Sequence, residues 1–323
     1  MSRRVLVTGG AGFIGSHLVD ELMEKGWSVT VLDNLSTGNV ANLRPWMKDD
    51  RFNFVRGDLK NPADAREVVE DVDVVFHLAA NPEVRVGETS PSTHFQENVV
   101  ATFNLLEAMR SCERAKTLVL ASTSTVYGEA SVVPTPEDYG PLVPISVYGA
   151  SKLGCEALAC SYAYTFGVRA LIVRFANVVG SRSGHGVIVD FIRKLRQDPS
   201  RLEILGDGTQ KKSYMHIADC VSAFLHLADG FLRGERRVDI FNIGTDDQVN
   251  VGTIASIVAE EMKLSGVKFA YTGGVDGGRG WLGDVKVMHL SIKKLLGSGW
   301  KPRYGSEEAV RLATRELLRE KLH

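Results

Sequence analysis

The first half of the chain alternates short runs of consecutive apolar residues with longer segments whose apolar positions fall at helical spacing. That alternation predicts βαβ units, and so a parallel sheet covered by helices on both faces. Val5-Leu6-Val7 predicts the first strand. Ile14 to Lys25 predicts a helix stopped by Gly26, and Ser28 to Leu32 a second strand ending at Asp33. Further strands are predicted over Phe52 to Arg56, Val72 to His77, Thr117 to Ser122 and Arg169 to Arg174. Helices are predicted over Ala63 to Val69, Thr93 to Ser111 and Tyr148 to Phe166. The predicted fold is α/β, a doubly wound parallel sheet.

Around Asn177 the rhythm changes to a mixture of helix, short strands and Gly-rich loops. This predicts two domains, residues 1–176 and a smaller mixed α/β domain over 177–323. Val238 to Ile243 reads as a strand able to return to the first sheet, and Lys268 to Tyr271 as another. The segment Gly273 to Gly283 carries Arg279 and Trp281 and is followed by Asp284, so it reads as a loop approaching a ligand.

Charge changes the picture by exclusion. Lys and Arg number 38 against 39 Asp and Glu, a net charge of −1, which gives no global pull toward nucleic acid or an anionic membrane. An anionic ligand must therefore be held locally, by positioned donors. Cys112, Cys155, Cys160 and Cys220 form no C-x-x-C pair and have no His at metal-ligand spacing, so reduced thiols and no metal are expected. The amino terminus lacks the apolar run of a signal peptide, and no stretch approaches the roughly 18 apolar residues of a membrane span. The expected location is the cytoplasm.

Thr8-Gly9-Gly10-Ala11-Gly12-Phe13-Ile14-Gly15 lies between the first strand and the first helix. Gly9 permits the sharp turn, Gly12 lets the backbone approach a pyrophosphate, and Gly15 allows close packing of helix on strand. Free N–H groups at the helix start then face the negative charge. Asp33, 18 residues after Gly15, is placed to accept from both hydroxyls of an adenosine ribose. A carboxylate there repels a 2′-phosphate, so NAD is expected rather than NADP. Asp58, in Gly57-Asp58-Leu59, is a candidate for the adenine end of the same crevice.

Tyr148 and Lys152 stand at i and i+4 of one predicted helix, one above the other. With Pro144-Ile145-Ser146 as the helix start, Tyr148 falls in the first turn, near the positive end of the dipole. A phenol ionises near pH 10, so a base near neutrality needs roughly 4 kcal/mol of preferential phenolate stabilisation. Lys152, the helix end and a bound nicotinium ring are the candidate sources. The strand from Thr117 ends in Ser122-Thr123-Ser124-Thr125, four hydroxyls at the carboxyl end of a parallel strand, which suits a sugar hydroxyl.

Together these residues resemble the nucleotide-sugar epimerases of the extended short-chain dehydrogenase/reductase family, over essentially the whole chain. The resemblance rests on T-G-G-A-G-F-I-G-S-H from Thr8, V-L-D-N-L from Val31, G-D-L from Gly57 and H-L-A-A from His77. It continues through N-V-x-A-T from Asn98, S-T-S-T-V-Y-G from Ser122, Y-G-A-S-K from Tyr148, R-F-A-N from Arg174 and G-D-G-T-Q from Gly206. It implies a Rossmann-type sheet holding NAD, contacted by Gly9, Gly12, Phe13, Ile14, Gly15, Asp33, Asn34, Asp58, Leu59, Ala79, Ala80, Asn98, Ser122, Tyr148, Lys152 and Phe175. It implies Tyr148 as the base at the sugar 4-hydroxyl while hydride passes from C4 to NAD. Lys152 would lower the phenol pKa and bind the nicotinamide ribose, and Thr123 would share the bond to the 4-oxygen. The substrate, a UDP-hexose, would be contacted by Arg85, Thr123, Ser124, Tyr148, Asn177, Lys212 and Arg279. A homodimer through the Thr93–Ser111 and Tyr148–Phe166 helices is also implied.

Departures from the family pattern sharpen the expected reaction, reversible 4-epimerisation. Related dehydratases carry Asp-Glu after the active-site Thr and decarboxylases carry Ser-Glu. Here Ser124 and Thr125 fill those places, with no ionisation near neutral pH. Lys212 stands where an Arg is common, so a point charge replaces a bidentate fork. Leu205 stands where some epimerases place an aromatic under the uracil. The alternatives are an NAD-dependent dehydratase or dehydrogenase, or a non-catalytic NAD-binding interaction protein, against which the intact Tyr148 and Lys152 pair speaks.

Overall fold

The computed structural model describes residues 3–320. Its centre is a seven-stranded parallel sheet in the order Val238–Ile243, Arg169–Phe175, Thr117–Thr123, Val74–His77, Arg4–Thr8, Ser28–Asp33, Phe52–Arg56. Every residue of Thr117–Thr123 and Val74–His77 is buried, as the continuous apolar runs predict for strands covered on both faces. The strand order reverses at Arg4–Thr8, which pairs in register with both Ser28–Asp33 and Val74–His77. In such sheets the crevice beyond the carboxyl ends of the strands, at the reversal, is where ligands bind.

The predicted elements recur within one or two residues, with one informative departure. The helix expected from Thr93 begins at Pro91, and over Phe95–Val100 it widens to i→i+5 hydrogen bonding before Ala101–Ser111 resumes the α-helix. Such wide turns re-aim side chains within a helix. Leu105, Leu106 and Met109 of Ala101–Ser111 share a buried core with Cys155, Ala159 and Ala163 of Val147–Phe166.

The chain divides into two compact units. One comprises Met1–Thr123, Val147–Arg174 and Phe224–Phe241; the other comprises Ser124–Ser146, Phe175–Ala223 and Asn242–His323. The chain passes between these units several times, and the return near 238–243 is one that the sequence suggests besides the change after residue 176. Part of the reason is Val238–Ile243, which takes the sheet edge beside Arg169–Phe175, with the Ala170 N–H donating to the Arg237 carbonyl at 2.8 Å. The helix before it brings Phe224 edge-on to Phe76, centroids 5.8 Å apart.

In the second unit Lys268–Tyr271 pairs in parallel with Arg201–Ile204. Helices Val187–Gln197, Val251–Glu261 and Ser306–Arg319 enclose its core, including Phe191, Ile192, Val258 and Val310. Among the described residues no helix is long and apolar enough to cross a membrane, and no His, Cys, Asp and Glu group is arranged to hold a metal. The four cysteines are free thiols.

Candidate functional site

The turn after Arg4–Thr8 is built so closely that only glycine fits at two of its positions. Gly9 has φ +71°, and a β-carbon on it would lie 2.7 Å from the Ala79 amide nitrogen. A β-carbon on Gly15 would lie 2.1 Å from the Gly9 carbonyl oxygen, so the helix packs directly on the turn. Gly12 is different. Its β-carbon would meet only the Gly9 oxygen, at 3.2 Å, so the chain itself presses on this position far less than on Gly9 or Gly15. Gly12 also caps Phe13–Glu24 without a side-chain hydrogen bond, and no acidic residue occupies the first turn. The turn and helix end therefore present backbone donors and positive potential, a fit for the pyrophosphate of NAD.

Asp33 is buried at the end of its strand. One carboxylate oxygen accepts the Ala11 N–H at 2.9 Å and the other the Leu35 N–H at 2.8 Å. Burial raises its pKa, against the lowering by these two bonds. The carboxylate is thereby fixed beside the glycine turn, with lone pairs remaining for a ribose diol. Asn34 donates to Asp58 at 3.2 Å, and the Lys60 N–H donates to Asp58 at 2.9 Å. Despite partial burial, which opposes it, Asp58 is held below the usual carboxylate range by the Lys60 amide, the Asn34 amide and the Lys60 charge.

Tyr148 lies in the first turn of Val147–Phe166, half-buried, and its hydroxyl is hydrogen-bonded to that of Thr123 at the end of Thr117–Thr123. Burial pushes the phenol up to about 12, although the Thr123 bond acts to lower it. Deprotonation at pH 7 from there needs about 7 kcal/mol of phenolate stabilisation, more than the ordinary phenol value implies. Lys152, one turn along, is buried, and burial lowers its pKa against the raising influence of Cys155 and Glu156. The His94 ring packs edge-on against Tyr148, centroids 5.5 Å apart.

Two buried networks hold this constellation. Asn98, in the widened part of the helix, accepts the Asn81 N–H at 2.8 Å and donates to the Ser151 hydroxyl at 2.8 Å. Ser151 donates to the Tyr148 carbonyl at 2.7 Å. The second network centres on His77. Thr102 donates to the Asn98 carbonyl at 2.7 Å and so accepts from His77 Nε2 at 2.9 Å. The Thr8 hydroxyl, which accepts the Ala79 N–H at 3.3 Å, donates to His77 Nδ1 at 2.7 Å. The pattern assigns a neutral imidazole. Burial first, and Lys152 second, push His77 down to about 3.

That shift has a sign. Between about 3 and the ordinary value near 6.5 the unfolded chain binds a proton that the folded chain refuses. The His77 contribution to stability is therefore complete above pH 6.5 and lost as pH falls through that window, with a slope of up to about 1.4 kcal/mol per pH unit. Denaturant midpoints are expected to fall from pH 7 to pH 5 while the folded His77 imidazole NMR signal does not titrate. A folded-state titration near 6.5 would refute this.

The second unit holds four of the candidate substrate contacts, Ser124, Asn177, Lys212 and Arg279. Lys212 pairs with the buried Asp284 at 2.6 Å and lies over the Trp281 ring, 5.5 Å from its centroid. Arg279 forms a two-pronged pair with Glu129, a pair with Asp276 at 3.1 Å and a 2.8 Å bond to the Asp284 carbonyl. Asn177 donates to the Ser213 carbonyl at 3.2 Å. Both cations are therefore already matched by carboxylates, which their sequence positions do not reveal.

The structure thus brings Tyr148, Lys152, Thr123 and Asn98 together in one unit, and Lys212 with Arg279 around Asp284 in the other. Some candidates have internal uses instead. Ser122 donates to Glu156, Leu59 is a core residue and Asn98 ties loop to helix. Arg85 pairs with Glu83 at the surface, at 3.1 Å. Ser124 opens a buried 3₁₀ turn over Ser124–Tyr127, and Phe175 is buried at the end of its strand. Sequence reasoning missed Glu156 and Glu129 as site neighbours, and it named Asp284 beside the ligand-facing loop without its pairing to Lys212. Only Glu156 left a signal, one further i+4 step beyond Tyr148 and Lys152.

Comparison with known proteins finds relatives and similar folds over nearly the whole chain. A profile of the NAD dependent epimerase/dehydratase family matches residues 5–244. A putative UDP-glucose 4-epimerase of Methanocaldococcus jannaschii is 35% identical over 312 residues, covering 95% of this chain and 96% of its own. A crystal structure of a UDP-galactose 4-epimerase superposes with a TM-score of 0.88 at 46% identity, over 98% of this chain and 99% of its own. A UDP-glucuronic acid 4-epimerase from Bacillus cereus, in complex with UDP-glucuronic acid and NAD, is 28% identical with a TM-score of 0.85 over 98% of this chain and 99% of its own.

Proposed function

The chain belongs to the NAD-dependent epimerase/dehydratase family, and from that premise we propose that it catalyses reversible 4-epimerisation of a UDP-hexose, interconverting UDP-galactose and UDP-glucose. The observation that carries this reading is the Thr123–Tyr148 hydrogen bond with Lys152 one helical turn away and no carboxylic acid at 124 or 125. Bound NAD supplies a reversible hydride acceptor for the sugar ring. Gly9 and Gly15 shape the turn so that the backbone at Gly12 and the helix start would face its diphosphate, and Asp33 would accept from the adenosine ribose.

Tyr148 takes the proton of the 4-hydroxyl and returns it, with Thr123 sharing the hydrogen bond to the 4-oxygen. Lys152 stabilises the phenolate by its charge. Ser124 and Thr125 supply no acid for eliminating water and no carboxylate for handling a carboxylated sugar, which separates the reading from a dehydratase or decarboxylase. The test is incubation of purified protein with UDP-galactose without added cofactor, followed by chromatography, with UDP-glucose expected. No interconversion of UDP-glucose, UDP-galactose or their N-acetyl forms would sink it.

In this reading Arg279 and Lys212 contact the substrate diphosphate. Glu129 competes for Arg279, and an exposed pair of this kind is worth about 0.2–1 kcal/mol. Glu129→Gln is expected to lower KM by about 1.4- to fivefold at constant kcat. An unchanged KM removes Arg279 from the substrate contacts. The assembly is a homodimer in the same reading. Phe95, Phe103 and Tyr164, at 55%, 44% and 68% exposure, give the two helices an apolar outer face suited to a second copy. Sedimentation as a dimer, converted to monomer by Phe103→Glu, is the expected result; a wild-type monomer contradicts it.

A further inference from the structure

Below the Tyr148 and Lys152 pair lies a buried charge cluster with no part in the mechanism just described. Glu156 is the next inward residue of the same face, one turn beyond Lys152 and 3% exposed. Its carboxylate receives Arg174 through Nε at 3.0 Å and Nη2 at 2.7 Å, with both side chains almost wholly buried. Ser122 donates its hydroxyl to the same carboxylate. Ser122 immediately precedes Thr123, the partner of Tyr148. A ring of contacts therefore runs from Tyr148 down the helix to Glu156, across to Ser122, and up the strand through Thr123 to the phenol.

We propose that Glu156 is a positioning residue for the Tyr148–Lys152 pair, fixing the helix against the strand that carries Thr123 and supplying the negative charge that keeps the buried Lys152 an ammonium. Stability alone explains the pair poorly, since a buried ion pair is often replaceable by apolar residues without loss. Arg174 supplies the counterweight. It shares the Glu156 charge, so Lys152 feels only what Arg174 leaves.

The charged and titratable groups acting on Lys152 are Cys155 and Glu156 on its own helix and the neutral His77 on Val74–His77, with Tyr148 one turn before it on the same face. Cys160 lies near Glu156 and Arg174, and His94 lies against Tyr148. Only Glu156 among them carries a negative charge near neutral pH. The inference rests on the reading of Tyr148 and Lys152 above.

The test is the sign of a pH shift in the NAD-loaded protein. Turnover of UDP-galactose falls at high pH as Lys152 loses its proton, and the same event is read without turnover from the Lys152 signal of 13Cε-lysine-labelled protein. Glu156→Gln leaves two cations without their anion, so the alkaline limb and the lysine titration are expected to move down by a pH unit or more. Arg174→Met frees the whole Glu156 charge toward Lys152, so both are expected to move up. Each variant is compared with wild type separately, so either one that folds and holds NAD is decisive. Shifts in the same direction, or none in either readout, overturn the proposal and leave the cluster a structural brace. Retained turnover in Tyr148→Phe would instead overturn the underlying reading.

Discussion

Tyr148→Phe is expected to reduce turnover by about 10³-fold, the usual range for removing a general acid–base group, while the protein still folds and carries NAD. The phenol hydroxyl is hydrogen-bonded to Thr123, and the ring itself packs against His94. Phe keeps the ring and its contact and deletes only the proton carrier. The wild-type phenol, raised by burial to about 12, depends on its surroundings for the stabilisation that makes it a base. The checks are product formation by chromatography, the thermal midpoint and NAD absorbance. Activity within tenfold of wild type removes Tyr148 from the mechanism. Loss of NAD or of the fold would show that the hydroxyl has a structural role that this geometry does not assign it.

Gly15→Ala is expected to be the most damaging single-methyl change in the cofactor turn. Its β-carbon would stand 2.1 Å from the Gly9 carbonyl oxygen and 2.9 Å from the Gly10 Cα, and both are backbone that no rotamer change moves aside. Either the helix withdraws or the turn opens, at about 3 kcal/mol, the upper end for overpacking. The backbone donors then lose their convergence, and bound NAD is expected to be lost with the stability. Gly12→Ala is the contrast, because its β-carbon meets only the Gly9 oxygen at 3.2 Å. That variant is expected to fold with a near-normal thermal midpoint and to be impaired in holding NAD alone. Equal stability losses in the two variants would contradict this division of labour.

The cofactor half was largely legible because its signals are local. The Gly9–Gly15 spacing, the strand before it and the helix after it depend on neighbours a few residues away. Tyr148 and Lys152 meet through helical periodicity, and that too is a local property. The return of Val238–Ile243 was readable as a strand, whereas its place at the sheet edge, far along the chain from its partner, was a choice among partners. Helix pattern likewise predicted the Thr93–Ser111 segment without its widened turn at Phe95–Val100, where Asn98 bonds to Asn81 and to the distant Ser151, partners that helical spacing does not encode.

What the sequence determined by itself is the order of elements, the glycine cradle and the residue types of the proton-transfer pair, all consequences of short-range sterics and periodicity. Only the tertiary structure decided the charge states and partners. Glu156 meets Arg174 18 positions away, His77 is kept neutral by burial and then by the nearby Lys152 charge, and Arg279 meets Glu129 150 positions away. These are properties of burial and long-range approach, and burial is what turns a residue type into a particular pKa.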